Sequence, residues 1–184
     1  MPADVLLDSA RPTSELAAAC AALYDTWRDA APAARLAAEV PEDDRRLASG
    51  LALSPRLAAQ CLLDAPRTAA FLRGTLAAIF EAMRRFPDEP IEIVYAGTGP
   101  FATLVLPLFA RLDPRRVRFT LIDVDERSTG SVRSLVDRFG LGAYVKAIVC
   151  ADGTVYRHEA PVHIVVTETM QRALRREPFV AIGA

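Results

Sequence analysis

A chain of 184 residues, 52% of them hydrophobic, has enough apolar material to bury the core of one globular domain. With 22 basic residues, all arginine except Lys146, against 23 acidic ones, the formal net charge is −1, which gives no support to nucleic acid or a membrane surface as a partner. The longest apolar run, FATLVLPLFA, is too short and proline-broken to span a bilayer, and the start MPADVLLDSA has no basic opening or long apolar stretch. The three cysteines, Cys20, Cys61 and Cys150, fit no disulfide or zinc pattern, so a cytoplasmic setting is expected.

As far as residue 88 the pattern predicts helices. From Ser14, SELAAACAALYDTWRDA sets Leu16, Ala19, Leu23 and Trp27 at close to a 3.6-residue period. Ser54 followed by Pro55 is a helix start, with serine as cap and proline in the first turn, and it leads into RLAAQCLLD. Pro66 then introduces a longer helix, RTAAFLRGTLAAIFEAMRRF. Pro32, Pro41 and the PDEP stretch at 87–90 punctuate these segments.

After Pro90 short apolar strands alternate with helical segments: IEIVY, FATLVLPLFARL, VRFTLID, RSTGSVRSLVDRFG, YVKAIVC and VHIVVT. The alternation predicts β-α-β units and a parallel sheet of about four strands, buried on both faces, with FATLVLPLFARL as the first crossover helix. Ligands of such sheets sit at the carboxyl ends of the strands, so the residues there carry the candidate chemistry. Gly97 and Gly99 in AGTGP let the backbone turn tightly and approach a ligand, or serve only the strand-to-helix turn. Asp123, at the end of VRFTLID, lies about 20 residues beyond the glycines, where a carboxylate can accept ribose hydroxyls. Asp125 and Ser128 are there to cap the next helix instead. Asp152 in CADGT stands at the end of the next strand and can meet a purine amino group or make an Asx turn with Gly153. The last strand opens TETMQRALRREP, where Glu168 and Glu177 stand nine positions apart. Together they can grip a planar guanidinium through paired charge-assisted hydrogen bonds, or they pair with Arg172, Arg175 and Arg176 along a helix.

Taken together these segments resemble a class I S-adenosylmethionine-dependent methyltransferase, most closely the protein arginine methyltransferases. VHIVVTETMQRALRRE is similar to that family's fourth strand and double-glutamate loop. CLLDAPRTAAF is similar to its pre-core helix pattern Leu-x-Asp-x-x-Arg-Thr-x-x-Tyr, matched by Leu62, Asp64, Arg67 and Thr68, with Phe71 in place of the tyrosine. The resemblance covers residues 55–180. It implies a Rossmann-like α/β fold over residues 89–184, an incomplete methyltransferase core, preceded by an all-helical segment over residues 1–88 whose stretch 55–86 packs on the core and covers the cofactor. It also implies S-adenosyl-L-methionine as cofactor, with Arg67 on its carboxylate, Gly97 and Gly99 in its loop, Asp123 on the ribose and Asp152 near the adenine. Glu168 and Glu177 then hold the substrate guanidinium of a protein or peptide.

Several positions depart from the family pattern. Ile93 and Tyr95 stand where it has an aspartate and a glycine, Glu92 points to the other side of the strand, and Tyr95 is expected to add bulk beside the cofactor loop. His163 replaces an early aspartate of the fourth strand, as a candidate base or a satisfied strand residue. The family's sheet continues beyond the fourth strand and is followed by a β-barrel, so an open strand edge is expected here, to be covered by a second copy or another partner unless the chain is part of a longer one. Two other functions stay open: methylation of a small molecule, and a non-catalytic module that needs a partner.

Overall fold

The computed structural model of the chain describes residues 1–31, 45–47, 50–169 and 182. It opens with helices α1 (Pro2–Leu7) and α2 (Thr13–Ala30) and an antiparallel hairpin of β1 (Arg45–Leu47) with β2 (Gly50–Ala52). The hairpin corrects the expectation of an all-helical N-terminal segment. Its strands are three residues long, too short to show a period-two pattern in the sequence.

Helices α3 (Pro55–Gln60) and α4 (Ala65–Arg85) follow, separated by a 3-10 turn at Cys61–Leu63. Their starts are those written in the sequence. The Ser54 hydroxyl accepts from the Leu57 N–H at 3.4 Å, and the Asp64 carboxylate accepts from the Arg67 N–H at 3.3 Å. Pro55 and Pro66 occupy first-turn positions, where a missing N–H costs nothing.

The fold is α/β, with N-terminal helices and a Rossmann-like, all-parallel sheet of four strands. These are β3 (Ile91–Ala96), β4 (Val117–Asp123), β5 (Val145–Cys150) and β6 (Ile164–Thr167), with α5 (Glu126–Arg138) between β4 and β5. Their order is β5-β4-β3-β6. The chain runs outward from β3 to β5 and then returns to the free side of β3, so the topological switch falls between β3 and β6.

On one face Ile91, Ile93 and Tyr95 of β3 and Val117, Phe119 and Leu121 of β4 share a single core with the helices, including Leu16, Cys20 and Trp27 of α2, Leu72 and Ile79 of α4 and Val132 and Leu135 of α5. Each large apolar side chain buried there contributes roughly 1.5–3 kcal/mol. Arg73 of α4 anchors α1 by donating to the carbonyls of Leu6 and Asp8 at 3.0 and 2.7 Å. On the other face Val94, Ala96, Thr120 and Ile122 are also buried. There the β5–β6 connection passes so close that a Cβ on Gly153 would lie 3.3 Å from the Cβ of Ala96. Among the described residues β6 has no partner on its outer side, and its Val165 is 50% exposed.

FATLVLPLFARL is not the α-helix its length suggests. Residues 99–105 form turns, and a 3-10 helix covers Leu106–Arg111. Ala102 takes a left-handed φ of +44°, which ends any right-handed helix there, and Pro107 has no N–H to offer the carbonyl of Thr103. Burial replaces the missing ladder: Phe101, Leu104, Val105, Leu108 and Phe109 are each 1% exposed or less, and Phe101 packs against Tyr24 and Trp27 at ring separations of 5.7 Å. Among the described residues no helix is long and apolar enough to cross a membrane.

Candidate functional site

Backbone pairing continues past the strand ends and draws the loops of the carboxyl edge into one row. The Gly97 N–H donates to the Ile122 carbonyl at 2.9 Å, the Ala151 N–H to the Asp123 carbonyl at 2.9 Å, and the Glu168 N–H to the Ala96 carbonyl at 3.2 Å. Above this row lies a cavity of about 300 Å³, at the lower end of the range for small-molecule sites and at the switch point where such sheets bind ligands.

Six of the residues singled out in the sequence line it: Arg67, Gly97, Gly99, Asp123, Asp152 and Glu168. The seventh, Glu177, lies outside the described residues. So do Arg172, Arg175 and Arg176, the alternative partners of the two glutamates.

The glycines are there because side chains do not fit. Gly97 has φ +77°, and a Cβ on it would stand 2.6 Å from the Thr169 methyl; Gly99 has φ +58°, with the Ala58 Cβ at 3.1 Å. Both conformations are disfavoured for any residue with a Cβ. The bared backbone is then used: the Gly99 N–H donates to Asp123 Oδ2 at 2.8 Å.

Asp123 also takes the Asp125 N–H on Oδ1, at 2.9 Å. Burial pushes its carboxyl up to about 6, although the N–H groups of Asp125 and Gly99 pull the other way. Asp125, not Asp123, caps α5, accepting from the Arg127 N–H at 2.8 Å. Asp123 is therefore left to the cavity. Asp152 makes the turn its sequence allowed, with Oδ1 accepting from the Thr154 N–H at 2.9 Å and from its hydroxyl at 2.7 Å. It lines the cavity as well.

Arg67 crosses the cavity from the first turn of α4. Its Nη1 donates to Glu168 Oε1 at 2.9 Å, and its guanidinium stacks on the Phe71 ring, 5.2 Å from the centroid. A cation in the first turn of a helix opposes the helix dipole. Burial also works against its charge, yet the charge of Glu168 and the hydrogen bond to it outweigh that burial and raise the Arg67 pKa. The second oxygen of Glu168, Oε2, accepts from the Tyr95 hydroxyl at 2.6 Å.

Tyr95 is where the sequence reading is corrected. It is fully buried in the core and is not among the residues lining the cavity, so its bulk does not narrow the glycine loop. Its side of β3 faces the helices, and only its hydroxyl reaches up to Glu168. Sequence reasoning also missed Cys61 and the hairpin-end residues Ala52 and Leu53 as parts of the wall. Nothing in their local pattern marks them. The Cys61 thiol, pushed up by burial, donates to the Leu57 carbonyl at 3.5 Å. His163 immediately precedes β6 at the opposite end of the sheet, where Nδ1 accepts from the Glu92 N–H at 3.0 Å and the ring packs on Phe86 at 4.6 Å.

Compared with known proteins, the chain matches no protein-family model, no curated protein and no solved structure. Fold and geometry thus define it as a Rossmann-like α/β protein with an acidic cavity at the switch point of its sheet. Four carboxylates (Asp64, Asp123, Asp152 and Glu168) and one guanidinium (Arg67) line that cavity among the described residues.

Proposed function

We propose that the chain is an S-adenosyl-L-methionine-dependent methyltransferase whose acceptor is the guanidinium nitrogen of an arginine in a protein or peptide. The observation that carries this reading is the convergence of Arg67, Gly97, Gly99, Asp123, Asp152 and Glu168 on one cavity. They come from five separate places in the chain, and the reading gives each a role toward the cofactor or a cationic acceptor.

The residues fit the cofactor. Gly97 and Gly99 leave room that a Cβ would fill. The surplus of carboxylates suits a ligand bearing a sulfonium and an ammonium, while Arg67 is the matching group for its one carboxylate. Asp123 accepts from the Gly99 N–H on one oxygen and the Asp125 N–H on the other, which holds its carboxylate at the cavity as the acceptor for a ribose hydroxyl. The apolar side chains of Leu53, Ile122 and Val124 supply a wall for a purine beside Asp152.

When bound, the cofactor supplies an electrophilic methyl group. The rest of the work belongs to the chain. Glu168 would hold the acceptor guanidinium, fix which nitrogen is presented, and take the proton that this nitrogen releases as its bond to the methyl carbon forms and the methyl–sulfur bond breaks. Most of the acceleration in this scheme comes from positioning, with no covalent intermediate on the protein.

The test is methyl transfer from S-adenosylmethionine to an arginine-containing peptide. Glu168→Gln keeps shape but removes the charge, and is expected to lower the rate by about a hundredfold or more. Unchanged transfer in that variant would remove Glu168 as the holder of the guanidinium, whereas a wild-type chain that binds the cofactor but leaves the peptide unmethylated would remove arginine as the acceptor and point to a small-molecule substrate. A second reading, a binding module that works through a partner, draws on the outer side of β6, which has no partner among the described residues, and on its half-exposed Val165. Transfer that appears only when another chain is added would favour it.

A further inference from the structure

Tyr95 occupies the penultimate position of β3, paired in register with Val166 of β6. Two residues beyond Val166, on the same side of the sheet, comes Glu168. The phenol is fully buried, its ring is held by the core, and its hydroxyl donates to Glu168 Oε2 at 2.6 Å. Burial first, then the neighbouring Glu168 charge, raises the phenol pKa well above its usual value, so the hydroxyl keeps its proton and remains a donor.

The other holder of this carboxylate is less constant. Arg67 grips Oε1 with a side chain 29% exposed, and it is also the group proposed above to meet a ligand carboxylate. Its hold on Glu168 changes when that ligand arrives. The Tyr95 contact comes from within a strand and does not.

An ionised carboxylate has four lone-pair sites, two on each oxygen. Among the described residues Arg67 occupies one on Oε1 and Tyr95 one on Oε2, which leaves one on each for a ligand in the cavity. A planar guanidinium needs two acceptors fixed in its own plane, whereas an ammonium is satisfied by a single oxygen in many orientations. We propose that Tyr95 is a positioning residue that locks the plane of the Glu168 carboxylate and thereby sets the preference of the site for a guanidinium over an ammonium. This rests on the reading that Glu168 receives the acceptor cation.

The experiment compares binding of ethylguanidinium and propylammonium to the whole chain, loaded with S-adenosylmethionine, for the wild type and Tyr95→Phe. The wild type is expected to favour ethylguanidinium. Tyr95→Phe should weaken ethylguanidinium about tenfold, the loss of one hydrogen bond to a charged group, and change propylammonium less than about twofold. Equal losses for both ions, or no loss for either, would overturn the proposal, since a loosened fold cannot single out one cation. Wild-type protein that binds neither ion would sink the reading of Glu168 itself, and this inference with it. If Tyr95→Phe does not fold, incorporation of 4-fluorophenylalanine in place of Tyr95 fills the same space without a donor and is read in the same way.

Discussion

At the amino ends of the strands Glu92 is wrapped in the chain's own cations, whereas at the carboxyl ends the carboxylates outnumber theirs. Glu92 Oε2 accepts from Lys146 at 3.1 Å and lies 3.9 Å from His158 Nε2, and Oε1 lies 3.7 Å from Arg118. Lys146 is the extra residue in the β4–β5 register, where Phe119 pairs with Val145 and Thr120 with Ala147. Both histidines of the chain stand here. At the cavity end, among the described residues, a single arginine faces four carboxylates, and the loop after β3 has glycines where side chains would fill the space. Charge by itself does not distinguish the two ends. Uncompensated charge beside room for a ligand does.

The largest effect expected from that contrast is on pH. Asp123 has its carboxyl raised from 3.8 to about 6, so the folded chain holds this proton more tightly than the unfolded chain. The contribution is fully present below about pH 4 and is lost as pH rises through about 6, on the order of 3 kcal/mol in all. Melting temperatures of the ligand-free chain should therefore shift in favour of Asp123→Asn, relative to wild type, between about pH 4 and pH 7. Parallel profiles would show that the carboxylate is not held at a cost, and the contrast between the two ends would lose its energetic basis.

Next comes the loop. Gly97→Ala puts a methyl group into contact with Thr169 at a left-handed φ, and should cost roughly 2 kcal/mol of stability and most of the affinity for S-adenosylmethionine. Gly74→Ala, on the exposed side of α4 with nothing within 4 Å, serves as the control and should stabilise by up to about 1 kcal/mol with no change in binding. The smallest effect is expected at the other end. Glu92→Gln should cost about 1 kcal/mol, its partners Arg118 and Lys146 being largely solvated, and leave the titration with S-adenosylmethionine unchanged. A loss of binding there would mean that the two ends are coupled.

Much of this was readable from the residue order. IEIVY and VRFTLID are apolar runs because the two central strands of the parallel sheet are covered on both faces, while the edge strand YVKAIVC is only partly covered, and that same topology puts Asp123, Asp152 and Glu168 at a common edge. Arg67 needed more. No periodicity marks it, and it stood out only through its place in CLLDAPRTAAF. What stayed hidden depended on tertiary packing. FATLVLPLFARL has a helix's composition, but its backbone is bent by Ala102 and Pro107 and held by turn hydrogen bonds and burial. Tyr95 read as an obstruction because a sequence gives its position and not the side of the strand its hydroxyl reaches. In the fold its ring is core and its oxygen is the second anchor of Glu168.

The central claim, that these strand ends form a site for S-adenosylmethionine, is tested most directly by calorimetric titration of the whole chain with that cofactor, alongside Asp123→Ala, with circular dichroism to show that both are folded. Saturable binding by the wild type that is abolished in Asp123→Ala is the predicted result. A folded wild-type chain that takes up no cofactor would contradict it.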